Sequence, residues 1–116
     1  AVQAESSALD AINSEPEVAA TFGSLVEFST NNEAFIDLDS GRTDALVVDE
    51  VNARYYMKQI GEEKYKVLEE DFGDEEYGIG LRKEDTELLK KINDAMDAMK
   101  KDGTYDKIYA KWFSEN

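Results

Sequence analysis

Neither cysteine nor histidine occurs in this chain. Those two absences argue against disulfides, thiolate nucleophiles, zinc sites of the usual kind and imidazole acid/base catalysis, which leaves carboxylates, hydroxyls and amines as the functional groups. Cations are scarce as well: 13 Lys and Arg stand against 27 Asp and Glu, a formal net charge of −14. Nucleic acid and anionic membrane surfaces both reward clusters of Lys and Arg, so neither is expected as a partner. No apolar run is long enough to cross a bilayer, and no leader of basic, apolar and small residues stands at the start. The compartment is therefore not written in the composition. Proline is used once, at Pro16, and no internal repeat or low-complexity tract breaks the pattern apart from one acidic stretch.

What is present reads as an α/β chain. A length of 116 residues suits one domain with a modest core. Ala1 to Ala4 looks like the end of a strand, with Ser6 or Ser7 capping a helix that runs to about Ser14 with Leu9 and Ile12 inward. So abrupt an opening leads us to expect further sequence upstream. Leu25 to Phe28 is a second strand, and Ser29-Thr30-Asn31-Asn32 is a cap-rich turn into a helix carrying Ala34, Phe35 and Leu38 inward. Gly41 suits the left-handed position that ends this helix. Ala45 to Val48 is an uninterrupted apolar run of strand length, of the kind buried on both faces in a parallel sheet. Asp49 follows at the strand's carboxyl end, where open α/β sheets bind ligands. It reads equally as the N-cap of a helix to about Ile60. Lys64 to Leu68 is a candidate fourth strand after the Gly61 break. Three successive β-α units imply an open, mainly parallel sheet flanked by helices.

The acidic stretch Glu69 to Glu76 separates these units from Tyr77-Gly78-Ile79-Gly80-Leu81, which has strand character loosened by two glycines. Beyond it, Leu88, Leu89, Ile92, Ala95, Met96 and Met99 keep a 3-4 spacing on a helix from about Glu84 to Lys101, with acids early and lysines late. Asp102-Gly103 stops it. Tyr105 to Phe113 then forms a second, aromatic-rich helix, completing a C-terminal helical pair.

Four patches, in order, resemble the polar amino-acid solute-binding proteins of ABC importers: residues 2 to 8, the 41 to 50 segment, Glu76 to Lys83, and Asp102 to Phe113. The similarity spans the whole chain but only about the last half of such a protein. It implies one lobe of a type II periplasmic-binding-protein fold. Residues 1 to 76 match the second, ligand-binding lobe, 77 to 81 match a hinge strand, and 82 to 116 match the helices that complete the first lobe. By the same resemblance, Ser7 matches the hydroxyl residue that helps to hold the ligand α-carboxylate at a helix start. Ser6 and Gln3 match flanking cleft positions, and Asp49 matches the acid that pairs with the α-ammonium. The family usually has glycine where Glu5 stands, because the backbone comes close to the ligand there. A carboxylate in that position is unfavourable unless it turns to solvent or meets a cationic ligand side chain.

The implied activity is non-catalytic capture of a polar amino acid, with a membrane permease of an ABC importer as partner and no cofactor or metal. The implied location is periplasmic or extracellular, either free or held by a lipid anchor. Two other readings compete. One is a dehydratase-like enzyme on the same fold, although Asp49, Glu5 and Glu50 are the only acids near the proposed site and none shows a partner to tune it. The other is a self-associating fragment or sensor lobe, a homodimer through the C-terminal helices, because the apolar face of residues 88 to 113 would seek cover.

Overall fold

The computed structural model describes residues 1–113. They fall into two compact units, one formed by residues 1–74 and the other beginning at Glu75.

In the first unit, β1 (Val2–Gln3) and β2 (Glu27–Phe28) run parallel, with Val2 opposite Glu27 and Gln3 opposite Phe28. Val2 N–H donates to the Val26 carbonyl at 3.0 Å and Ala4 N–H to the Phe28 carbonyl at 2.8 Å. On the other side of β1, Val47 forms a parallel bridge with Val2, and its N–H donates to the Ala1 carbonyl at 3.0 Å. The middle position thus belongs to β1, whose Val2 is fully buried.

The parallel α/β architecture expected from the β-α units is present, but the sheet is narrower than the apolar runs predict. Ala45 to Val48 makes a single bridge, with Ala45 exposed and Leu46 to Val48 half-buried. The run lies at the sheet edge among the described residues, so only one of its sides is paired. Leu46 and Val48 nevertheless pack against the helical core, as alternation along an extended segment requires.

Helix boundaries follow their capping residues. In α1 (Ser7–Ser14), the N-cap Ser6 accepts a hydrogen bond from Leu9 N–H at 3.2 Å. Pro16 does more than end α1, because it opens a short α2 (Pro16–Ala19) from the first-turn position where a missing N–H costs nothing. A full capping box starts α3 (Asn31–Asp39): Glu33 N–H donates to Thr30 Oγ1 at 3.2 Å, and Thr30 N–H donates to Glu33 Oε2 at 3.1 Å. Its end is a Schellman turn. Gly41 takes φ +73°, Gly41 N–H donates to the Leu38 carbonyl at 2.9 Å and Arg42 N–H to the Asp37 carbonyl at 3.2 Å. The same turn brings the Arg42 guanidinium onto the buried Asp37 carboxylate, which would otherwise be an unpaired charge in the interior.

The core of this unit gathers where α3 meets α4 (Glu50–Ile60). Phe35, Ala53 and Met57 are buried together, Phe35 stacks on Tyr56 with centroids 4.4 Å apart, and Tyr65 meets Phe35 edge-on at 5.9 Å. That last contact explains why Lys64 to Leu68 is not the fourth strand its composition predicts. Gly61 turns the chain at φ +110°, residues Glu62–Lys64 form one 3-10 turn, and the Tyr65 hydroxyl donates to Asp39 Oδ1 at 3.2 Å. The segment is pinned to the end of α3, and Leu68 is 61% exposed.

In the second unit, Tyr77 to Leu81 is irregular rather than a strand, with no ladder partner among the described residues. A bidentate pair from Arg82 to Asp85 (2.7 and 3.0 Å) stands at the start of α5 (Thr86–Asp102). Gly103 at φ +77° ends α5, and Asp102 Oδ1 accepts from Thr104 N–H at 2.8 Å to begin α6 (Thr104–Phe113). The two helices pack on each other yet bury no residue fully, leaving Leu88, Ile108 and Trp112 about half exposed.

Candidate functional site

Because β1, β2 and the Val47 segment are parallel and adjacent, their carboxyl ends share one rim of the sheet. Three helices begin there, and their N-caps are Ser6, Thr30 and Asp49. Each helix start presents first-turn amides outside the helical ladder together with the positive end of the helix dipole. The rim is thus rich in hydrogen-bond donors.

Three of the four expected residues turn out to have structural duties as well. Ser6 Oγ donates to the Gln3 carbonyl at 2.7 Å while it caps α1, which locks the β1–α1 turn. Gln3 Nε2 donates to the Ser29 carbonyl at 3.3 Å, tying the rim ends of β1 and β2. Asp49 is half-buried, and its Oδ1 accepts from Asn52 N–H at 2.7 Å, so it is the N-cap of α4. A carboxylate has lone pairs on both oxygens, and capping with one does not remove its charge. Ser7 is the first residue of α1 and is exposed.

Charge at the rim is mainly negative. Beside Asp49, Glu50 is held by Arg54 at 2.7 Å, and Glu5 projects from the β1–α1 turn as an exposed carboxylate. Glu5 also has φ +53°, the left-handed conformation that a glycine adopts without strain. Among the described residues, no group of three acidic, His or Cys side chains could hold a metal ion, and no helix is long and apolar enough to cross a membrane.

The sequence marks Ser29 and Thr30 as part of a cap-rich turn into a helix but does not by itself place them on the rim. The signal was there in Thr30-Asn31-Asn32-Glu33, a capping box directly after a strand, since any helix start that follows a parallel strand faces the ligand edge. A shallow groove of about 410 Å³ lies elsewhere, between Tyr77 to Leu81 and the Leu89 and Met96 face of α5, and shares no residue with the rim.

A model of the bacterial extracellular solute-binding proteins, family 3, matches residues 8–115. A glutamine-binding ABC transporter protein of Bacillus subtilis (strain 168) is 42% identical over 93 residues, covering 80% of this chain and 33% of that protein. The lysine/arginine/ornithine-binding periplasmic protein of Escherichia coli (strain K12) is 35% identical, covering 79% of this chain and 38% of its own length. Among solved structures, an ancestral arginine-binding protein bound to glutamine superposes with a TM-score of 0.72 at 46% identity, covering 98% of this chain and 49% of that one. A polar amino acid ABC uptake substrate-binding protein from Streptococcus thermophilus gives 0.65 at 39% identity, covering 98% and 45%. The chain therefore spans between 33% and 38% of the length of these two curated relatives and about half of the solved ones.

Proposed function

Because this chain belongs to the bacterial extracellular solute-binding proteins of family 3, we propose that it is the part of an amino-acid receptor that carries one side of the ligand cleft. Its relatives are binding proteins rather than enzymes. The observation that carries the reading is the Val2 to Val47 bridge, which brings the strand ahead of Asp49 beside the strand ahead of Ser6 and Ser7. An amino-acid zwitterion has two opposite poles. The α-carboxylate is matched to the first-turn amides and hydroxyls of α1 at Ser6 and Ser7, and the α-ammonium to the Asp49 carboxylate. Gln3 flanks the carboxylate pole and ties the rim ends of β1 and β2 through Ser29.

The ligand class is a polar amino acid, in keeping with relatives named for glutamine and for lysine, arginine and ornithine. The expected partner is the membrane permease of an ABC importer, and the expected location is periplasmic or extracellular, free or lipid-anchored. In such receptors, closure around the ligand excludes water and strengthens both polar contacts, with residues 77–81 as the hinge. One side of a cleft, open to water, keeps these contacts but gains nothing from closure. We expect this chain to bind amino acids with a dissociation constant of about 1 mM or weaker. Amide shifts in isotope-labelled protein titrated with L-glutamine and L-arginine should localise to Ser6 to Leu9 and Glu50 to Asn52. Micromolar affinity, or shifts confined to other residues, would contradict the proposal.

The half-exposed apolar residues of α5 and α6 favour a second property, self-association through the C-terminal helices. Light scattering across a concentration series tests it, and a monomer at every concentration would rule it out.

A further inference from the structure

Glu5 is the only described residue other than glycine with positive φ, at +53°. An L-side chain is strained there, and such strain persists where something else favours the residue. Nothing within the lobe does so: the Glu5 side chain is exposed and makes no hydrogen bond or ion pair with any described residue. Glycine would relieve the strain at no visible loss of contact. Its position adds a second conflict, because Glu5 immediately precedes the α1 N-cap, where the ligand α-carboxylate is placed, and like charges repel.

Both penalties are offset if the ligand brings a second positive charge to the rim. Glu50 is already occupied by Arg54, and Asp49 is assigned to the α-ammonium. We propose that Glu5 is a specificity-determining residue that favours amino acids with a cationic side chain over neutral ones of the same shape. The inference rests on the capture reading above and deepens it.

L-Arginine and L-citrulline share their α-groups and nearly their shape, but only arginine is charged at the end of its side chain. Titrating the full chain with each and following the amides of Leu9 and Asn52 should show arginine preferred by about three- to tenfold at low salt, the range for one partly screened charge pair. Added salt should narrow the preference. Glu5→Gln keeps the strain and removes the charge, whereas Glu5→Gly removes both. Each should bring the ratio close to one, partly by tightening citrulline, and only Glu5→Gly should raise the melting temperature. Asp49→Asn should weaken both ligands in parallel. Equal binding by the wild-type chain, or an arginine preference that survives Glu5→Gln, would overturn the role of Glu5 and leave the capture reading standing. No rim shift with either amino acid at tens of millimolar, in any variant, would overturn both.

Discussion

Asp49 caps α4 and, in the proposed function, also pairs with the ligand ammonium, and a small set of substitutions can separate the two roles. Its Oδ1 accepts from Asn52 N–H at 2.7 Å, a strong N-cap bond at the start of an 11-residue helix whose inner face supplies Ala53 and Met57 to the core. Losing an N-cap costs about 0.5–2 kcal/mol, and losing a negative charge at the helix start costs roughly a further 0.3–1 kcal/mol. Asp49→Ala should therefore destabilise the first unit by about 1–3 kcal/mol, which for a unit of this size lowers its melting temperature by roughly 5–20 °C. Asp49→Ser and Asp49→Asn keep a capping oxygen and lose only the dipole contribution, so they should fall within about 1 kcal/mol of wild type. Ligand binding should divide the series differently. A hydrogen bond to a charged partner contributes about 1.5–3 kcal/mol, so all three variants should weaken amino-acid binding by roughly 10- to 100-fold. Thermal melts followed by circular dichroism give the first quantity, and amide-shift titrations give the second. The diagnostic result is Asp49→Ser, stable and unable to bind. If Asp49→Ser binds as well as wild type, the carboxylate is only a cap and the ammonium partner lies elsewhere.

Phe35→Ala removes the ring that stacks on Tyr56 and meets Tyr65 edge-on. The expected loss is about 3–5 kcal/mol, enough to unfold most of so small a unit, and chemical denaturation would show it. Gly41→Ala should cost about 1 kcal/mol through its left-handed backbone alone, because an added Cβ meets nothing within 4 Å; a melting temperature equal to wild type would contradict the Schellman geometry. Burial, and then the neighbouring Asp39 that accepts its hydrogen bond, push the Tyr65 hydroxyl above its ordinary pKa. The folded state thus favours the neutral phenol. That stabilisation is complete below the unfolded value and is lost as pH rises through the higher folded one. An alkaline titration followed by tyrosinate absorbance should show one late-titrating phenol that disappears in Tyr65→Phe.

Much of the local structure was legible because it depends on neighbours in sequence. Ser6, the Thr30 to Glu33 box and Asp49 start helices, and Gly41, Gly61 and Gly103 end them, since a cap needs only a side chain and an amide three residues on, or a backbone free to turn left-handed. The helix starts at Ser6 and Asp49 were legible in the same way, as short polar segments following apolar runs, whereas the place of Thr30 beside them on the rim was not. The reading failed where pairing decides. Residues 45–48 had the composition of a strand covered on both faces but form one bridge at an edge. Residues 64–68 and 77–81 also look like strands, yet a strand exists only where another backbone takes up its N–H and C=O groups.

The sequence by itself determined the α/β class, the helix boundaries, the acidic balance and the family to which the chain belongs. Only the tertiary structure decided that Val2 stands between Glu27 and Val47, which puts Ser6, Thr30 and Asp49 on one rim. It also decided that Tyr65 serves the Phe35 core rather than the sheet, and that Glu5 holds a left-handed backbone. Caps and turns are settled by contacts a few residues apart. Strand neighbours and ring stacking join residues more than twenty positions apart, where local composition carries no record of the partner.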